Sequence, residues 1–125
     1  MTKVLVFGTF DQLTDGHKFF LQRAKQFGDQ LVVFIPEDEF VAGFKGHRPD
    51  WPLEKRIQAV QALPLNATVY QEDVRENWRS LKTIKPDVIV LGADQASWRA
   101  RLDVLLAEYG LEPKIHVLND RFGLP

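Results

Sequence analysis

Short apolar runs and amphipathic stretches alternate along the chain. The apolar runs have the composition and length of strands buried in a parallel sheet, and they are Lys3–Phe7, Leu31–Ile35, Ala67–Tyr70, Val88–Leu91 and Ile115–Leu118. The stretches between them repeat apolar residues at helical spacing, and they are Phe19–Phe27, Leu53–Leu63, Glu76–Ile84 and Ala96–Tyr109. Strands joined by helical crossovers predict an α/β fold, a three-layer sandwich around a five-stranded parallel sheet.

The order of the strands decides where a ligand would bind. We expect the order 3-2-1-4-5, in which strands one and four are neighbours at the switch point of the sheet. Ligands of such sheets bind outside the carboxyl ends of those two strands. In this chain the two ends are followed by Gly8–His17 and Gly92–Gln95.

The first strand and the first helix are joined by Gly8-Thr9-Phe10-Asp11-Gln12-Leu13-Thr14-Asp15-Gly16-His17. Backbone N–H groups point outward at a helix N-terminus, and the helix dipole favours an anion there. Gly8 and Gly16 allow the backbone to approach a ligand closely. Thr14 offers a hydroxyl that also suits a helix cap, and His17 offers an imidazole. This segment therefore predicts a phosphate site.

The same segment resembles the signature of the nucleotidyltransferase superfamily that includes cytidylyltransferases, pantetheine-phosphate adenylyltransferases and archaeal-type FAD synthases. Their pattern is approximately Gly-Thr-Phe-Asp followed by His-x-Gly-His or Thr-x-Gly-His, and the second part here is Thr14-Asp15-Gly16-His17. Further matches are Lys45-Gly46-His47-Arg48-Pro49, Glu54-Lys55-Arg56 and Gly92-Ala93-Asp94-Gln95. The resemblance spans residues 3 to about 118 and implies a Rossmann-like fold. Archaeal-type FAD synthases are the nearest group, and glycerol-phosphate cytidylyltransferase-like enzymes come next.

The resemblance also implies which residues carry the chemistry. His17 and Lys45 are expected to be catalytic, because they can neutralise charge that develops on phosphates. The residues expected to bind the nucleotide are Gly8, Thr9, Phe10, Asp11, Thr14, Gly16, Arg48, Arg56, Gly92, Asp94 and Gln95. The alternative for Arg56 is a surface ion pair with Asp50 or Glu54, and Asp94 and Gln95 could instead cap the following helix.

The implied reaction is nucleotidyl transfer. A phosphate oxygen of an acceptor attacks the α-phosphorus of a nucleoside triphosphate, and pyrophosphate leaves. AMP is favoured slightly over CMP as the transferred group, and the acceptor is a phosphorylated small molecule, which is FMN for archaeal-type FAD synthases. Mg²⁺ is expected to arrive with the triphosphate and to keep several waters, so no metal site made by the protein alone is expected.

Composition limits the classes of protein that remain. The chain has 125 residues, of which 45% are hydrophobic, and we expect a single nucleotidyltransferase-like domain over residues 1–125. The absence of cysteine excludes disulfides, zinc–thiolate sites and cysteine nucleophiles. A net charge of −1 argues against general nucleic-acid binding, and no apolar run approaches the roughly 20 residues of a membrane span. We expect a cytoplasmic protein without nucleic-acid or membrane partners. Its oligomeric state is undecided on the sequence, with a homodimer as one alternative.

Two other function classes stay open on the sequence. The superfamily usually has a Ser/Thr-rich motif after the fifth strand, whereas no Ser or Thr follows Ser97 in this chain. That departure favours, as the alternative, a nucleotide-binding module with little or no turnover. A flavodoxin-like signalling domain shares the alternating pattern but does not explain the Gly8–His17 segment. The remaining long segment, Pro36–Trp51, is predicted to be irregular, and loops of that length are often functional.

Overall fold

Five parallel strands form the sheet on which the molecule is built. The computed structural model describes residues 1–71, 80–93, 95 and 99–118. The strands within these ranges are β1 (Lys3–Phe7), β2 (Gln30–Ile35), β3 (Thr68–Gln71), β4 (Val88–Gly92) and β5 (Lys114–Leu118). Their order is β3-β2-β1-β4-β5, and all four neighbouring pairs are parallel. The predicted sheet and its strand order are confirmed.

Helices connect successive strands. The described part of the chain contains a short 3-10 helix (Asp11–Leu13) and the α-helices α1 (Asp15–Lys25), α2 (Asp38–Lys45), α3 (Leu53–Gln61), α4 (Ser80–Ile84) and α5 (Arg99–Tyr109). The predictions that helices begin at Glu76 and Ala96 concern residues outside that part. None of these helices is long and apolar enough to cross a membrane.

Each face of the sheet is covered by an apolar core, because successive strand residues point to opposite faces. Val4 and Val6 of β1 pack in one core with Leu21 of α1 and Val60 of α3. The second core lies on the opposite face of the sheet. It contains the alternate β1 residues Leu5 and Phe7, together with Phe40 of α2, Leu81 of α4 and Leu102 of α5. Burial of both faces explains why β1, β2 and β4 lack polar alternation, and the two cores give the predicted three layers.

The segment Pro36–Trp51 is less irregular than the sequence analysis predicted. Residues 38–45 form α2, and Phe40 and Val41 are buried. Gly46 ends the helix at a φ of 82°, and its N–H donates to the carbonyl of Ala42 at 3.0 Å. A short helix so close to a proline and two glycines has few local signals, and the prediction missed it for that reason.

Candidate functional site

The loop between β1 and α1 has a strained backbone. Three of its non-glycine residues have positive φ angles, namely Phe10 at 51°, Gln12 at 62° and Leu13 at 41°. This conformation costs a residue with a Cβ roughly 1–2 kcal/mol, and such residues cluster at ligand sites. Burial of the Phe10 and Leu13 side chains helps to offset the cost. The sequence has no glycine at these positions, so the strain could not be predicted from it.

Thr14 and His17 cap α1 reciprocally. Oγ1 of Thr14 accepts from the backbone N–H of His17 at 3.3 Å, and the backbone N–H of Thr14 donates to Nδ1 of His17 at 3.0 Å. The arrangement is a capping box in which an imidazole replaces the usual Glu or Gln. Because Nδ1 accepts this bond, the neutral ring carries its proton on Nε2. The cap thus fixes the imidazole at the start of α1 as an Nε2–H donor.

Some backbone N–H groups of the loop bond to the sheet, whereas others have no acceptor among the described residues. The N–H of Gly8 donates to the carbonyl of Phe34 at 3.1 Å and so belongs to the sheet; the role of Gly8 in nucleotide binding stays a prediction. A Cβ on Gly8 would lie 3.0 Å from the ring of Phe10, which explains the glycine by packing. In the described part of the chain, the N–H groups of Thr9 and Phe10 have no protein acceptor. These two groups are among the backbone donors of the loop for which the described residues provide no acceptor, and Gly16 lies in the buried first turn of α1.

Asp11 joins this loop to the segment that leads into α3. Its Oδ2 accepts from the N–H of Asp50 and its Oδ1 from the N–H of Trp51, each at 2.8 Å. Gln12 adds a hydrogen bond from Nε2 to the carboxylate of Asp50. The carboxylate predicted to bind nucleotide therefore holds two loops together.

Arg56 is fully buried in α3, and its guanidinium donates to three separate segments. Nε donates to the carbonyl of Trp51 at 3.0 Å, NH1 to the carbonyl of Thr9 at 3.1 Å and NH2 to Oδ1 of Asp38 at 2.6 Å. Arg56 therefore lies in the interior and pairs with Asp38, which corrects the alternative of a surface ion pair with Asp50 or Glu54; its role in nucleotide binding stays a prediction. A side chain that is 0% exposed and bonded in three directions braces the site from behind.

Lys45 and Arg48, the other predicted phosphate ligands, are exposed. Lys45 is the last residue of α2, so it lies on a helix end and not in a free loop. Arg48 forms an ion pair with Glu39, and its NH2 lies 3.9 Å from Oδ2 of Asp38. The side chains of Arg48 and Glu39 are 60% and 66% exposed. Exposed ion pairs contribute little free energy, so Arg48 can exchange this partner for an anion at small cost.

Gln95 connects the two central strands at their carboxyl ends. Its Oε1 accepts from the N–H of Gly92 at 2.9 Å, and its Nε2 donates to the carbonyl of Phe7 at 2.6 Å. Both ends of the amide are used by backbone, so Gln95 sets the distance between β1 and β4 at the switch point. Asp94, the neighbouring predicted ligand, lies outside the described residues.

The sequence analysis missed Asp38, which receives Arg56 and lies next to Arg48. Its only local signal is an acidic residue in the first turn of a short helix, a position that is common without any function. A depression of about 390 Å³ lies between α3 and the end of β3 and is lined by Leu53, Glu54, Ile57, Gln58, Gln61 and Gln71.

Comparisons with known proteins identify the family of the chain. Residues 5–121 match the family described as cytidylyltransferase-like. The FAD synthase of Methanococcoides burtonii is 35% identical over 120 residues, which are 96% of this chain and 82% of that protein. The FAD synthase of Methanosarcina mazei is 38% identical over 117 residues, which are 92% of this chain and 75% of that protein. The solved lipopolysaccharide core biosynthesis protein from Thermoplasma volcanium GSS1 has a TM-score of 0.83 at 28% identity and covers 96% of this chain and 98% of its own.

The fold is that of α/β proteins which bind ligands where the strand order of the sheet reverses. Within that class, the chain belongs to the cytidylyltransferase-like family of nucleotidyltransferases. The resemblance that rested on the Gly8–His17 segment is thereby confirmed.

Proposed function

We propose that the protein is an adenylyltransferase that moves AMP from ATP to a phosphorylated small molecule, with FMN as the first acceptor to test. The observation that carries this proposal is the pair of N–H donors at Thr9 and Phe10, in a strained loop that leads into the capped start of α1. Such donors and the helix dipole favour phosphate groups. The FAD synthase relatives support ATP and FMN as the first pair of substrates.

The chain's contribution to the reaction would be positioning and charge neutralisation. A phosphate oxygen of the acceptor forms a bond to the α-phosphorus of ATP, the bond to the bridging oxygen breaks, and pyrophosphate leaves. No covalent enzyme intermediate is needed. Nε2–H of His17 is suited to donate to phosphate oxygens, and one such contact typically lowers a barrier by about 3–4 kcal/mol. Lys45 and Arg48 are exposed cations that can neutralise the β- and γ-phosphates.

Mg²⁺ is proposed as part of the substrate. A triphosphate carries Mg²⁺ with several waters, and the ion offsets phosphate charge when it is bound. The described residues contain no group of three or more His, Asp or Glu side chains that could hold a metal ion by themselves.

We extend the proposal to the organisation of the chain, with residues 1–125 forming one nucleotidyltransferase-like domain. Its support is that both apolar cores of the described residues lie against the same sheet.

Pyrophosphate release with a panel of substrates tests the proposal. ATP and CTP are each combined with Mg²⁺ and with FMN or glycerol phosphate. We expect release with ATP and FMN, accompanied by FAD. Release only with CTP would contradict adenylyl transfer and favour cytidylyl transfer. Triphosphate binding without any release would favour the alternative of a nucleotide-binding module.

A further inference from the structure

Asp11 poses a problem of charge. It is a carboxylate in the loop proposed to bind phosphates, and like charges repel more strongly where water is excluded. Its two oxygens, however, accept the backbone N–H groups of Asp50 and Trp51, each at 2.8 Å. The negative charge of Asp11 therefore strengthens the hydrogen bonds to the segment before α3, because a charged acceptor forms stronger hydrogen bonds than a neutral one.

The same segment is held from its other side. The carbonyl of Trp51 accepts from Nε of Arg56 at 3.0 Å, and NH1 of Arg56 donates to the carbonyl of Thr9 at 3.1 Å. The backbone of Trp51 is thus connected to the Gly8–His17 loop twice: the N–H of Trp51 bonds to Asp11, and the carbonyl of Trp51 bonds to Arg56. Arg48 precedes Trp51 by three residues, so these contacts also set where its side chain begins.

We infer that Asp11 is a positioning residue for the transfer reaction, an inference that rests on the proposed function. Its carboxylate fixes the Asp50–Trp51 backbone against the Gly8–His17 loop and so holds Arg48 beside the β- and γ-phosphates. Asp11 acts through this backbone and neither touches the nucleotide nor binds its Mg²⁺. Loss of the contact should weaken the binding of ATP, whose β- and γ-phosphates would reach Arg48. The binding of AMP, which lacks those phosphates, should change little.

Two other carboxylates provide matched controls. Oδ2 of Asp29 accepts from the N–H of Thr2 at 2.9 Å, and Oδ2 of Asp87 accepts from the N–H of Lys3 at 2.8 Å. Both make the same kind of contact, but at the amino end of β1, the opposite edge of the sheet. Their Asn variants remove the same charge without disturbing the site.

The test is calorimetry of ATP and AMP binding to Asp11→Asn, with Mg²⁺ and again with EDTA. Asparagine keeps one acceptor oxygen and places an NH2 against the second N–H. We expect ATP binding to weaken roughly tenfold in both conditions, with AMP binding within twofold of wild type. Asp29→Asn and Asp87→Asn should leave both affinities within twofold. Asp11→Ala, which removes both acceptors, should weaken ATP binding at least as much as Asp11→Asn.

Each other outcome overturns the inference. A loss of ATP affinity confined to the Mg²⁺ samples would make Asp11 a metal ligand, and tighter ATP binding would make it a repulsive charge. Equal losses for ATP and AMP would assign it a general structural role. Unchanged ATP binding would overturn the inference alone, whereas a wild-type protein that binds no ATP would overturn the proposed function with it.

Amide exchange gives a readout that needs no nucleotide. In free Asp11→Asn, the N–H groups of Asp50 and Trp51 should exchange faster while the unfolding midpoint stays near that of the wild type. Exchange at the wild-type rate would show that the contact does not hold the segment, and the positioning role would fail.

Discussion

Arg56, which is fully buried, donates from NH2 to the Asp38 carboxylate at 2.6 Å, although the Asp38 side chain is still 22% exposed. The pair links α3 to the start of α2 across 18 residues of sequence. Because Arg56 also donates to the carbonyls of Thr9 and Trp51, one guanidinium connects three segments: the Gly8–His17 loop, the start of α2 and the residues before α3. These three contacts hold the candidate site together from the protein interior.

Replacement of this brace should cost stability. We expect Arg56→Met to lower the free energy of unfolding by about 3 kcal/mol, because the variant leaves Asp38 and two carbonyls without their donor. Arg99→Met is the matched control, since Arg99 pairs with Asp103 on an exposed helix face, and its loss should cost less than about 0.5 kcal/mol. Urea denaturation of both variants measures the difference. Equal effects would show that burial of the Arg56 pair adds nothing.

The reciprocal cap separates the two functions of His17. In His17→Asn, the amide oxygen can still accept from the N–H of Thr14, but the Nε2 donor is lost. We expect a loss of transfer rate of at least ~10²-fold with little change in stability. Thr14→Val should do the opposite, with about 1 kcal/mol less stability and a smaller effect on rate. Turnover of His17→Asn close to wild type would remove His17 from the catalytic residues.

The fold was predictable because its signals are local. The strands β1, β2 and β4 are nearly continuous apolar runs, and both faces of β1 carry buried residues such as Val4 and Leu5, so period and length indicated a parallel sheet. The family resemblance of the Gly8–His17 segment was recognisable for the same reason, because the segment is contiguous in sequence. Helix α2 escaped prediction because it is short and lies beside residues that usually break helices.

The contacts of the predicted site residues could not be derived in the same way. Whether Arg56 faces a ligand or Asp38 depends on how α2 packs, and no local pattern carries that information. The same holds for Gln95, whose partner Phe7 is 88 residues away in sequence. A sequence motif identifies such residues. It does not distinguish residues that contact a ligand from residues that position the ligand-binding residues.

Gln95 should be sensitive to a change of one atom. In Gln95→Glu, a carboxylate oxygen replaces the NH2 that donates to the carbonyl of Phe7, so two acceptors face each other. We expect a loss of stability of roughly 1–3 kcal/mol and faster amide exchange at Gly92. Gln22→Glu, on the exposed side of α1, controls for the added charge. Wild-type stability of Gln95→Glu would show that the bridge between β1 and β4 is dispensable.

Lys45 should distinguish nucleotides by the length of their phosphate chain. We expect Lys45→Ala to weaken ATP binding roughly tenfold and AMP binding much less, because a cation at the end of α2 would meet the β- and γ-phosphates. Lys114→Ala makes the same change of net charge at the amino end of β5. Calorimetry with both nucleotides compares the variants. Equal losses for ATP and AMP would refute the assignment of Lys45 to the outer phosphates.

The proposed function requires that the phosphates of the nucleotide bind where β1 meets α1. The most direct measurement is a titration of ¹⁵N-labelled protein with α,β-methylene-ATP, which cannot undergo transfer, followed through the amide resonances. The largest shifts are expected at the N–H groups of Thr9, Phe10 and Gly16. Shifts centred instead on Gln58, Gln61 and Gln71, which line the depression between α3 and β3, would contradict it.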